Sequence, residues 1–78
     1  PVSYRVVSSF NKKKKPGRRE YIRARINEDG KAEIFPSEGS GRISSLSWSS
    51  GLLELLEHEE KVNKGNSVRY IPYSSFDL

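Results

Sequence analysis

The stretch Arg19-Glu20-Tyr21-Ile22-Arg23-Ala24-Arg25-Ile26-Asn27-Glu28-Asp29-Gly30-Lys31-Ala32-Glu33-Ile34-Phe35 decides the fold. Ile22, Ala24 and Ile26 alternate with Tyr21, Arg23 and Arg25, and a period of two marks a strand with one buried face. Residues 19–28 are therefore read as a strand whose opposite face is cationic. Asp29-Gly30 then supplies the positive φ angles of a tight hairpin turn, and residues 31–35 return as the second strand.

On the N-terminal side, residues 4–10 place Tyr4, Val6, Ser8 and Phe10 on one face and predict another strand. Between the two strands, Lys12 to Gly17 carries four consecutive lysines and then Pro-Gly. Such a run repels itself and then turns, which predicts a solvated loop. On the C-terminal side, residues 36–51 turn to Ser and Gly, with Ile43, Leu46 and Trp48 as their bulky apolar residues, and read as an ordered loop or a short helical turn. Leu52-Leu53-Glu54-Leu55-Leu56 is ambiguous: its periodicity leans to a helix continuing toward Lys61, while a short apolar run after a glycine also suits a buried strand. Lys64-Gly65-Asn66 is a turn. Residues 67–73 form a last strand that Pro72 ends or places on an edge, and residues 74–78 read as loose. Several short strands separated by turn signals predict a small all-β barrel or bent sheet.

Composition bounds the function. At 78 residues the chain has room for one domain with a thin core, since a chain of this size buries only ~60% of its unfolded surface. Hydrophobic residues supply 33% of it and charged residues 31%. With no cysteine, neither a disulfide framework nor a thiolate metal site holds the core together. No apolar run approaches the ~20 residues that a membrane-spanning helix needs; the reading is a soluble, cytoplasmic protein. Methionine is absent even at position 1, so a piece of a longer protein is expected, with residues 1–78 as a single β domain. The net charge of +4 is uneven. Lys12, Lys13, Lys14, Lys15, Arg18, Arg19, Arg23 and Arg25 crowd one stretch, and Glu54, Glu57, Glu59 and Glu60 another.

Nucleophile-and-base catalysis finds little support, because His58 is the single histidine and lies among glutamates without a nucleophile motif. The glutamates lack the spacing of a calcium loop and read as a solvated acidic turn. The stretch from Lys12 to Arg25 puts cations on a loop and along one strand face, where they could grip phosphate or another anion. Its lysines read first as a solubilising edge, and Arg18, Arg19 and Arg23 as the better anion candidates. Gly39-Ser40-Gly41-Arg42-Ile43-Ser44-Ser45-Leu46 offers backbone amides and hydroxyls that could cradle an oxyanion, although Gly-Ser-Gly is also common in linkers.

Taken in order, Pro16-Gly17-Arg18-Arg19-Glu20-Tyr21-Ile22-Arg23-Ala24-Arg25, a hairpin, Gly39 to Leu46, Gly51-Leu52-Leu53 and Lys64-Gly65-Asn66-Ser67-Val68 resemble the C-terminal domain of the MoeA and gephyrin family. The resemblance spans nearly the whole chain. It implies a β-clip, a bent antiparallel ribbon forming a partial barrel, and in it residues 52–56 are a strand rather than a helix. The family usually has proline after this strand and Ala-Asn before its glycine; here Glu57-His58 and Ser49-Ser50 stand there. The resemblance further implies a homodimeric molybdopterin molybdenumtransferase that inserts molybdate into adenylylated molybdopterin, with magnesium, and releases AMP. Its cleft would lie between this domain and the large catalytic domain of the second subunit, which would hold the metal ligands. Arg18 or Arg19 and Ser40, with Gly41, Ser44 and Ser45 nearby and Arg23 behind them, would then position anionic ligand groups, and no residue of this chain would be catalytic.

Two other readings follow from the residues. A module for single-stranded nucleic acid would track phosphates with the basic strand and stack bases on Tyr21 or Trp48. A partner-docking domain, extending a scaffold as gephyrin-like proteins do, would keep its protein partner after substitution of the anion-site residues.

Overall fold

The computed structural model describes residues 2–35 and 47–76. Its strands, in chain order, are β1 Tyr4–Val7, β2 Lys12–Lys13, β3 Glu20–Ile26, β4 Ala32–Ile34, β5 Gly51–Leu55, β6 Lys61–Val62 and β7 Ser67–Pro72, with a 3₁₀ turn at Tyr73–Ser75. Five of them form one antiparallel sheet in the order β1-β7-β5-β3-β4, and β2 pairs with β6 in a separate ribbon. The sheet curls into a half-barrel, the all-β clip that the resemblance implied.

The alternation in β3 fixes which face turns inward. Ile22, Ala24 and Ile26 join Leu53 and Leu55 of β5 and Val68 and Tyr70 of β7 inside the curl, where Ala32, Val62, Val6, Phe10 and Ile34 complete the core. Each large aliphatic side chain removed from water there contributes about 1.5–3 kcal/mol. Beyond β1 the chain leaves β7 and crosses to the far edge. Ser8 bridges Ala32 of β4, and the amide and hydroxyl of Ser9 both donate to the Ala32 carbonyl, at 2.9 and 2.6 Å. The two edge strands are thereby drawn together and part of their unpaired backbone is satisfied, which limits edge-to-edge aggregation.

β5 is the strand on which periodicity misled. It lies between β3 and β7, and Leu53, Glu54 and Leu55 are all buried. A strand covered on both faces loses its polar-apolar alternation, so its sequence mimics a helix. Gly51 opens it because nothing larger fits: a Cβ there would lie 2.5 Å from the Ile71 carbonyl oxygen and 2.7 Å from the Tyr70 ring. The strand ends at Leu55, where the Glu59 carboxylate accepts the Leu56 amide at 2.7 Å and Glu57-His58 turns the chain.

Four further expectations are corrected. The lysine run is not wholly a solvated loop: Lys12 and Lys13 pair with Val62 and Lys61, and Lys14 is only 6% exposed, its Nζ donating to the Lys15 carbonyl at 2.7 Å. The strand expected over residues 4–10 ends at Val7, where the bridge begins. In the β3–β4 hairpin only Gly30 has a positive φ, of 76°. The turn closes through the Gly30 amide to the Asn27 carbonyl and the Asn27 amide to the Lys31 carbonyl, a three-residue loop ending in a left-handed glycine rather than a two-residue turn. Finally, the tail is tied down as far as Phe76. The Tyr73 amide donates to the Ser50 carbonyl and the Phe76 amide to the Tyr73 carbonyl. Pro72 ends β7 and does not mark a sheet edge, since β7 lies between β1 and β5.

Candidate functional site

The outer face of the sheet carries Tyr21, Arg23 and Arg25 of β3, Leu52 and Glu54 of β5, Arg69 and Ile71 of β7, and Arg5 of β1. Strand register lines up Tyr21, Glu54, Arg69 and Arg5 in one row and Arg23, Leu52 and Ile71 in the next. Leu52, Ile71 and Phe76 supply the apolar side of a groove of about 450 Å³, and Ser3, Tyr21, Glu54 and Arg69 its polar side. Phe76 reaches the groove because the 3₁₀ turn at Tyr73–Ser75 redirects the chain after Pro72.

Glu54 is the hub of this face. It is 8% exposed, and a carboxylate so covered needs partners. The Tyr21 hydroxyl donates to its Oε2 at 2.9 Å, Arg69 Nη1 donates to its Oε1 at 3.1 Å, and Arg19 Nη1 lies 3.5 Å from Oε2. Arg19 also donates through Nε to Glu57 at 3.1 Å. The neighbouring Tyr21 side chain, and then Glu57, push the Arg19 guanidinium above its ordinary value. In return, Glu57 lies below the usual carboxylate range, first through a hydrogen bond from its own backbone and then through Arg19. Farther along β3, Arg25 donates to Glu33 at 3.0 Å and stacks over Trp48 at 4.4 Å from the ring centroid. Glu33 is lowered first by the Asn27 amide and then by Arg25.

The sequence-predicted residues therefore part company. Arg18 and Arg19 stand side by side just before β3, and Arg23 lies on its outer face opposite Leu52. Arg19 is held by carboxylates, whereas Arg18 is exposed and has no ion pair among the described residues. Ser40, Gly41, Ser44 and Ser45 lie outside the described residues. Trp48, with Arg25 over its ring and the Phe35 ring edge-on at 5.3 Å, is half-buried. His58 is exposed in its turn. Sequence reading missed Glu54 as the anchor of the arginines. The signal lay in the strand itself, since a glutamate inside a leucine run requires a cation from a neighbouring strand.

A family model of the MoeA C-terminal region (domain IV) matches residues 5–73. The chain belongs to the MoeA C-terminal family. Solved structures agree. A molybdopterin biosynthesis MoeA protein from Pyrococcus horikoshii superposes with a TM-score of 0.78 at 30% identity, over 92% of this chain and 19% of that one. A molybdenum cofactor biosynthesis protein from Pyrococcus furiosus gives 0.75 at 35% identity, over 92% of this chain and 26% of that one. No curated protein matched the chain. This MoeA domain IV thus spans about a fifth to a quarter of the length of those two relatives, whose names associate them with molybdopterin and molybdenum cofactor biosynthesis. Among its described residues no three His, Cys, Asp or Glu side chains converge as a metal site, and no helix is long and apolar enough to cross a membrane.

Proposed function

We propose that this chain is the C-terminal domain of a cytoplasmic molybdopterin molybdenumtransferase and supplies anion-positioning groups to a composite cleft. The remaining domains of the parent enzyme, with its large catalytic domain contributed by the second subunit of a homodimer, complete that cleft. The reaction is insertion of molybdate into adenylylated molybdopterin with release of AMP. The observation that carries this reading is the match of residues 5–73 to MoeA domain IV.

All the groups to be held are oxyanions: molybdate, the AMP phosphate and the terminal phosphate of the pterin. Preorganised cations and amides stabilise such charge best where water is excluded. Arg18 suits the task because Arg19, pinned by Glu57 and Glu54, fixes the backbone from which Arg18 projects. Arg18 and Ser40 take first rank as anion-positioning residues, followed by Gly41, Ser44 and Ser45, with Arg23 second. These residues orient ligand and move no proton. Magnesium and molybdate are held mainly by the other domains of that enzyme.

The test is molybdenum insertion by the protein that carries this chain, by its Arg18→Gln and Ser40→Ala variants, and by a form lacking residues 1–78. Loss of activity on deletion, with a decline of roughly tenfold for each substitution, the size of one charge-assisted hydrogen bond, is expected. Unchanged turnover and ligand affinity in both variants would remove these residues from the site. Activity retained after deletion would remove the domain from the reaction.

A further inference from the structure

The ribbon pairs β2, which lies in the run read from sequence as a solvated loop, with β6, and the proposed transfer reaction makes no use of it. Its register sets Lys13 directly opposite Lys61. The Lys14 amide extends the ladder to the Glu60 carbonyl at 2.8 Å. Side chains alternate across a strand, so Val62 and Lys14 turn inward, both buried, while Lys13, Lys15 and Lys61 turn outward and are exposed. Lys64 lies in the turn that follows β6, its backbone amide fixed to Asn11 Oδ1 at 2.9 Å, and its side chain too is exposed.

Like charges placed directly opposite one another on a strand pair destabilise it. Among the described residues no ion pair relieves them. Every ion pair found among the described residues belongs to an arginine, with Glu33, Glu54 or Glu57 as the acid. The one carboxylate within the ribbon, Glu60, is exposed and pairs with none of the lysines. The net positive charge of the chain is thus concentrated on this ribbon.

We propose that the β2–β6 ribbon, presenting Lys13, Lys15 and Lys61 on its outward face with the exposed Lys64 in the turn beyond, is a docking site for an acidic polypeptide segment. The chemistry of the ribbon selects this partner among anions. Residues 11–15 and 60–64 include no aromatic side chain, so there is no platform on which a base could stack. They include no arginine either, so no planar fork matches a phosphate, and the nearby Gly17 amide is already given to the Glu57 carbonyl at 2.8 Å. What remains is four point charges on flexible stems, which suit carboxylates distributed along a peptide and give binding that salt screens.

The experiment is fluorescence anisotropy of a labelled Glu/Asp-rich peptide titrated with the protein. A labelled oligothymidylate of equal charge and vesicles containing anionic phospholipid serve as competing probes. The peptide is expected to bind at low salt and to weaken at least tenfold in K13Q/K15Q/K61Q/K64Q, because four exposed pairs at a few tenths of a kcal/mol each amount to about that factor. R25Q, which removes a cation already paired with Glu33, is expected to bind as the unaltered protein does. The milder K13Q/K61Q form gives the same reading should the fourfold variant unfold. No peptide binding, equal binding by the lysine variants, or tighter binding of the oligonucleotide or the vesicles than of the peptide would overturn the proposal. Because Arg18 is untouched, molybdenum insertion stays at its ordinary rate in these variants, which separates this test from that of the transfer reaction.

Discussion

Glu54 and Arg69 face each other across β5 and β7, and Arg69 Nη1 donates to Glu54 Oε1 at 3.1 Å. The Tyr21 hydroxyl and Arg19 reach the other carboxylate oxygen from the β3 side, so one glutamate joins three segments of chain. Glu54→Gln keeps the shape, removes the charge, takes from Arg69 its carboxylate and leaves Arg19 with Glu57 alone. Urea unfolding is expected to show a loss of about 1–3 kcal/mol, the range for a hydrogen-bonded charge taken from a covered site. A variant as stable as the parent would reduce the cluster to surface decoration.

Gly51 and Gly30 should respond differently to alanine. At Gly51 the new methyl group would collide with the Ile71 carbonyl and the Tyr70 ring, and both belong to the strand that β5 must pair with. The expected cost is at or beyond the upper end of the ~1–3 kcal/mol typical of overpacking. At Gly30 the space is open and only the positive φ of 76° opposes the change, so roughly 1 kcal/mol is expected. Equal thermal midpoints for the two variants would contradict the close approach at Gly51.

Ser50 and Tyr70 share a hydroxyl hydrogen bond of 2.6 Å, and Ser49 and Tyr73 share one of 2.7 Å. Each joins the residues just before β5 to β7 or to the turn after it. A double-mutant cycle of Ser50→Ala with Tyr70→Phe should return a coupling of about 0.5–1.5 kcal/mol. Additive single effects would show that the two hydroxyls do not depend on each other.

Acid should loosen the outer face. Glu33 and Glu57 both lie below the carboxylate value of 4.5 in the folded chain. A carboxylate depressed on folding contributes stability that is complete above its unfolded value and disappears as pH falls through the lower folded one. The thermal midpoint is therefore expected to hold on the neutral side of 4.5 and to drop on the acid side, with a smaller drop in Glu33→Gln and Glu57→Gln. An acid drop of full size in both variants would place the responsible groups elsewhere.

Legibility followed the local character of each signal. Strand β3 and its hairpin were readable because one face meets the core and the other meets water, so burial is written into alternate residues. The hairpin loop was read one residue too short, since Asp29-Gly30 is compatible with more than one turn and Asn27 made the choice by accepting, through its side-chain oxygen, the amides of Asp29 and Lys31. Lys14 ran against expectation because a long side chain can bury its stem and return its ammonium to a backbone carbonyl one residue away. The arginines were visible as a group, but their separation into a paired Arg19 and an exposed Arg18 depends on Glu54 and Glu57, more than thirty residues along the chain.

By itself the sequence determined that this is a small all-β chain, where its clearest strand and turn lie, and, through an ordered set of motifs, which family it belongs to. Periodicity and turn chemistry act over a few residues, so they survive in one dimension. Only the tertiary structure decided that the strand at residues 51–55, which the resemblance implied, lies between β3 and β7, that Ser8 and Ser9 draw the sheet edges together, and which cations lack an ion pair among the described residues. Those outcomes depend on which distant strands lie side by side, and no local pattern carries that information.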